Sequence, residues 1–163
     1  MTSSSSWLFF ALSTVCCWGL YGILLHSGVM GFDPKTDPDA RYKAFFFVGI
    51  AYFLTAVLAP VALLALKGTD WSTLANGPAA GWSLAAGIVG ALGAFFVLRA
   101  FGAGGQPAVV MSIIFAGAPI VNAMVSMALH PPAGGLTSID PRFWGGVLMA
   151  ASGGLLVSLF KPH

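Results

Sequence analysis

Five apolar runs, none interrupted by an acidic residue, constrain this chain more than any other feature. They cover residues 7–26, 42–66, 79–101, 107–129 and 142–160. As helices rising about 1.5 Å per residue, each is long enough to cross a hydrocarbon core about 30 Å thick. The aspartates Asp33, Asp37, Asp39, Asp70 and Asp140 all fall between the runs, and the chain has no glutamate. Charged residues make up 7% of the 163 positions, against about 25% in a soluble domain. A chain so poor in charge cannot cover its own surface in water. The expected fold is an all-α integral membrane protein: five transmembrane helices in a single membrane domain, residues 1–163. The lipid bilayer is its first expected partner.

The fourth run, PAVVMSIIFAGAPIVNAMVSMAL, carries the most information. At 100° per residue, Ser112, Phe115, Pro119, Asn122 and Ser126 fall on one narrow stripe. Ile113, Ile114, Val121, Met124 and Val125 cover the opposite side. A helix facing only lipid has no need of such a stripe. Pro119 lacks an N–H, so the carbonyl of Phe115 loses its helical donor. In a bilayer that carbonyl must be satisfied by a neighbouring helix or by water in a cavity. The stripe therefore reads as the inner wall of a lumen, with a bend near residues 115–119. In the first run Thr14, Cys17, Trp18, Tyr21 and Leu25 share a face, and Trp18 lies at mid-membrane depth rather than at an interface. Trp18 and Tyr21 join Ser112, Pro119, Asn122 and Ser126 as candidate substrate-binding residues.

The remaining runs differ in their small residues. Gly87, Gly90 and Gly93 in the third run, and Gly146, Ala150, Gly153 and Gly154 in the fifth, form surfaces on which helices can approach closely. The fifth-run set is the candidate interface between copies. Residues 102–106 are too short for anything but a tight hairpin between runs three and four. Asp39 is placed to cap the second helix, and Pro60 to kink its far end. Pro78 suits a first helical position, as does Pro141 after an Asp140 cap. Residues 2–6 read as a polar tail. Lys35, Arg41, Lys43, Arg99 and Lys161 lie on one side, Lys67 and Arg142 on the other. That bias puts the N-terminus outside and the C-terminus in the cytoplasm, and the expected location is a bacterial inner (cytoplasmic) membrane.

Several functions are disfavoured by the residues present. His26, His130 and His163 have no metal-site spacing, and the aspartates of the first loop do not follow a calcium loop. Neither a metal nor another cofactor is expected. No nucleophile–base pair or phosphate loop is visible, so no catalytic residues are assigned and the chain is not expected to be an enzyme. A net charge of +2 without a basic block argues against nucleic acid. Adjacent Cys16 and Cys17 on one helix are poorly placed to bridge each other.

Short motifs spread over nearly the whole chain resemble EamA-type repeats of the drug/metabolite transporter superfamily. They are Trp18-Gly19, Arg41 at the opening of the second helix, and Pro107 followed by Ala118-Pro119-Ile120-Val121. Phe143-Trp144-Gly145-Gly146 and Gly153-Gly154-Leu155-Leu156-Val157 resemble the fifth helix. Most such proteins have ten helices in two inverted repeats, so the resemblance implies a half-size, single-repeat chain. It implies export or exchange of a small metabolite by alternating access, with two copies around one site. Where the family repeat usually has a Glu after the fourth helix, this chain has His130-Pro131-Pro132. Its first helix also lacks the carboxylate that the related small multidrug resistance proteins use for proton exchange. The expectation is a homodimeric facilitator or exporter of an unknown neutral or weakly polar metabolite. The alternative is a non-transporting structural or accessory subunit of a larger membrane assembly.

Overall fold

The computed structural model describes residues 6–135 and 138–160. Most of the expected polar tail, together with Lys161 and His163, lies outside the described residues. Those described form an all-helical chain, without strands, containing five helices long and apolar enough to cross a membrane. They are α1 (Ser6–Gly31), α2 (Ala40–Leu66), α3 (Gly77–Gly102), α4 (Pro107–Leu129) and α5 (Pro141–Leu159). The chain divides into two compact units, one up to Gly104 and the other from Gly105.

Local chemistry explains most helix ends. The Asn76 side chain accepts from Ala79 N–H at 3.5 Å, with Pro78 in the first turn of α3. Asp140 accepts from Arg142 N–H at 2.8 Å, with Pro141 opening α5. Each cap satisfies a donor that the first turn leaves without a helical acceptor. At the end of α3 the backbone turns through Gly104 at φ 92, a conformation glycine adopts without steric cost. Asp70 opens a short 3-10 turn, Trp71–Ala75. Ser72 gives it both a backbone N–H and a hydroxyl, which hold the Asp70 carboxyl below its ordinary range.

Three features depart from the sequence reading. First, α1 continues to Gly31, well into what reads as loop. Gly28 does not break it; a Cβ there would stand 3.8 Å from that of Ala44, an ordinary contact distance between α1 and α2. Second, Asp39 occupies the N-cap position of α2 but makes no side-chain cap bond. Its ψ of 0 is helical, whereas a capping side chain normally projects from extended backbone. Asp37 takes the local role instead: it accepts from Asp39 N–H at 2.9 Å and pairs with Lys43. The Lys43 ammonium, and then that N–H, hold the Asp37 carboxyl below its ordinary range. Third, α2 widens into a π turn at Leu54–Leu58 just before Pro60, where Ala59 N–H donates five residues back to Leu54. A π turn beside a proline is a recognised site of helix bending.

The first unit is packed at one end only. Leu25 and Val29 of α1, Ala40 and Ala44 of α2, and Ala94, Val97 and Leu98 of α3 are buried. Phe45 and Phe95 meet edge to face there, at 5.9 Å between centroids. Away from that end, residues 51–63 of α2 and 77–93 of α3 are exposed throughout. Trp82 is 76% exposed and Val89 69%. Apolar surface on this scale exceeds what a soluble monomer carries.

The second unit is an antiparallel pair, α4 against α5. Its tightest point is Gly154, where an added Cβ would fall 2.4 Å from that of Ala116 and 3.5 Å from the Ser112 carbonyl oxygen. α4 is helical through Pro119.

Candidate functional site

In the second unit α4 and α5 meet closely at Gly154. A groove of about 600 Å³ opens between them. From α4 it is lined by Pro119, Asn122 and Ser126, and from α5 by Arg142, Phe143, Gly146 and Ala150. Three of the four α4 candidates thus share one cavity. The fourth, Ser112, lies nearer the tight contact, and its hydroxyl donates to the Ala108 carbonyl at 2.7 Å.

The hydrogen bonds of the apolar helices separate structural hydroxyls from free ones. Ser13, Thr14, Ser27, Thr55, Ser112, Ser152 and Ser158 each donate to the carbonyl four residues back. That bond hides a hydroxyl within its own helix. Ser126 makes no such bond, and neither does Ser83. The Asn122 amide also has no hydrogen-bond partner among the described residues. Asn122 and Ser126 are one turn apart, so the groove presents an amide and a hydroxyl that no other described residue engages. The Phe115 carbonyl, denied the usual donor four residues on because Pro119 has no N–H, belongs to the same helix.

Arg142 is the lining residue that the sequence reading assigned only to the loop charge count. It sits in the first turn of α5, and its side chain has no carboxylate within ion-pair distance among the described residues. Antiparallel pairing brings it to the connection end of the groove, beside Ser126 and Met127. The part around Pro119, Asn122 and Ala150 is uncharged.

Trp18 and Tyr21 belong to the first unit. Their rings lie 5.4 Å apart and tilted, and both residues are half-buried. Tyr21 lines an open, mostly apolar groove of about 510 Å³ between α1 and α2, with Cys17, Phe47 and Ala51. Its hydroxyl oxygen is buried without a hydrogen-bond partner among the described residues. An unpartnered buried hydroxyl opposes folding by about 1–3 kcal/mol. Tyr21→Phe is therefore expected to raise the thermal unfolding temperature of the purified protein. A lower unfolding temperature would mean that the hydroxyl has a partner in the assembled protein.

The candidate interface residues of α5 separate. Gly154 is buried against α4, while Gly153 and Gly146 have no atom within 4 Å of a built Cβ. On α3, Gly87, Gly90 and Gly93 are equally open. No group of histidine, cysteine and carboxylate side chains that could hold a metal occurs among the described residues. The chain matches no protein-family model, no curated protein and no solved structure.

Proposed function

We propose that this chain lies in a bilayer as five spans and moves a small neutral or weakly polar solute, working as a homo-oligomer. One observation carries the reading: the unengaged Asn122 amide and Ser126 hydroxyl, side by side beside Pro119 in the α4–α5 groove. Polar groups within an apolar span oppose insertion and recur where something passes or binds. With no carboxylate in any span, the reading favours facilitated movement over proton-coupled exchange. The expected topology has the N-terminus outside and the C-terminus in the cytoplasm. A half-size EamA-like protein pairing with a second copy accords with this reading.

Purified protein in liposomes, followed by stopped-flow light scattering, tests it. Glycerol, urea or a similar small solute should enter faster than into protein-free vesicles. Equal rates across the panel would overturn the proposal.

The accessory-subunit reading draws on a different observation, the bare apolar surface of residues 51–63 and 77–93. A chain that purifies only inside a larger assembly would favour it.

For assembly, Gly153 is the cleaner probe, since it is open where Gly154 is already occupied. Small residues let membrane helices meet backbone to backbone. Gly153→Leu is expected to shift the mass of the protein in mild detergent from dimer to monomer while leaving its helix content unchanged. An unchanged mass would remove the Gly153 face of α5 from the interface.

A further inference from the structure

At the packed end of the first unit, two arginines cross between α2 and α3 in opposite directions. Arg41, the second residue of α2, lies over the last residue of α3. A Cβ built on Gly102 would stand 3.1 Å from its Nε and 3.2 Å from its Cζ. Arg99, in the last turn of α3, reaches back to α2 and donates from Nη1 to the Tyr42 hydroxyl at 3.4 Å. The backbone beneath them is held in place. Ala40 and Leu98 are buried, and Phe101 packs edge-on against His26 of α1 at 5.7 Å.

Neither guanidinium has a carboxylate within ion-pair distance among the described residues. The nearby loop does contain carboxylates. Asp37 is taken by Lys43, and Asp33 accepts from the Thr36 hydroxyl at 2.9 Å and the Lys35 N–H at 3.3 Å. Asp39 is two residues from Arg41 yet pairs with neither arginine. Nor does the Asp39 side chain cap the first turn of α2, where Arg41 sits. Each arginine reaches across to the other's helix, and an anion bound there would offset the repulsion of the two like charges. Arginine presents a planar fork of donors that matches phosphate oxygens two at a time. One Arg99 donor is already committed to Tyr42, which limits how far that side chain can swing away.

We infer that Arg41 and Arg99, steadied by Tyr42 and the glycine at position 102, form a binding site for a phosphate group at this end of the first unit. Its two sources are the headgroup of an anionic phospholipid and a soluble phosphate. The site is independent of the α4–α5 groove and stands whether or not the chain conducts a solute.

The test uses the full chain in a neutral detergent, with thermal unfolding read against added phosphatidylglycerol, phosphatidylcholine or inorganic phosphate. Phosphatidylglycerol should raise the unfolding temperature saturably, and phosphatidylcholine should not. A matching rise with inorganic phosphate would identify the soluble anion as sufficient. A rise with phosphatidylglycerol alone would identify the lipid. In R41Q/R99Q the apparent affinity should fall about tenfold or more, as two charge-assisted contacts are lost. R41K/R99K should fall between the two, because charge remains and the fork does not. K67Q, which removes a cation outside the site, should behave as the unmodified chain. If R41Q/R99Q fails to fold, the lysine pair against K67Q carries the comparison. Two results would overturn the inference: no response of the unmodified chain to either phosphate source, or equal losses in the lysine pair and K67Q.

Discussion

Gly154→Leu is expected to unfold the α4–α5 pair, with the largest stability loss of any single substitution considered for this chain. The smallest possible side-chain atom at this position would already sit 2.4 Å from the Ala116 Cβ. No pair of real Cβ atoms tolerates that distance, and both partners are attached directly to helical backbone. Neither can rotate away; one helix must move. Overpacking a well-packed contact costs about 1–3 kcal/mol, occasionally more. Here no flexible side chain is available to absorb it, so the upper part of that range applies. Gly154→Ala should show a smaller loss in the same direction. The measurement is thermal unfolding in detergent, paired with proteolysis at the 130–140 connection, which should become easier to cut. Ala116→Gly in the Gly154→Ala background supplies the diagnostic. Removing the opposing Cβ should restore stability, because the clash is between those two atoms. No recovery in the double variant would mean that the helices meet elsewhere.

This position also shows how far the sequence could be read. The small-residue stripe of α5 is visible as spacing, because glycine and alanine at intervals of three and four permit close approach whatever the partner. Spacing does not say which helix approaches. Gly146, Ala150, Gly153 and Gly154 read as one surface for a second copy, yet Gly154 meets the chain's own α4. Helix starts were legible for the opposite reason: Asp140-Pro141 and Pro78 act on their own first turns, within reach of local chemistry, although the Asn76 cap was not read. Asp39 shows the limit of that rule. Its residue type suits a cap, but its backbone is helical and Asp37 holds its N–H. Gly28 lies past the apolar run 7–26, yet α1 continues through it to Gly31. Gly28 proved to be a place where Ala44 comes near. The π turn at Leu54–Leu58 had only Pro60 to announce it. For the candidate site, periodicity put Pro119, Asn122 and Ser126 on one stripe, and they share one groove. Arg142 escaped because it joins that groove from another helix, a pairing that no local pattern encodes.

Asn122→Ala is expected to lower solute entry into proteoliposomes about tenfold, which corresponds to raising the barrier by about 1.4 kcal/mol. The same change should leave thermal stability nearly untouched. The two expectations follow from one fact: the Asn122 amide has no partner among the described residues. Even an interhelical hydrogen bond in a membrane contributes only about 0.6 kcal/mol on average, and this side chain makes none. On the proposed transport reading, a solute would give up water on entering the groove. Asn122 and Ser126 are the neutral side chains there able to replace those hydrogen bonds. Asn122 offers two donors and an acceptor, Ser126 a single hydroxyl, so Ser126→Ala should reduce entry less. Asn122→Leu, of similar size but without polarity, should reduce entry at least as much as alanine. That separates lost hydrogen bonding from changed volume, since a wider groove alone would favour alanine over leucine. Asn122→Gln keeps the amide and should retain partial activity. Entry unchanged in both Asn122→Ala and Asn122→Leu would remove this groove from the solute's path. A large drop in thermal stability would show instead that the amide is engaged in the assembled protein, where a partner helix or a second copy reaches it.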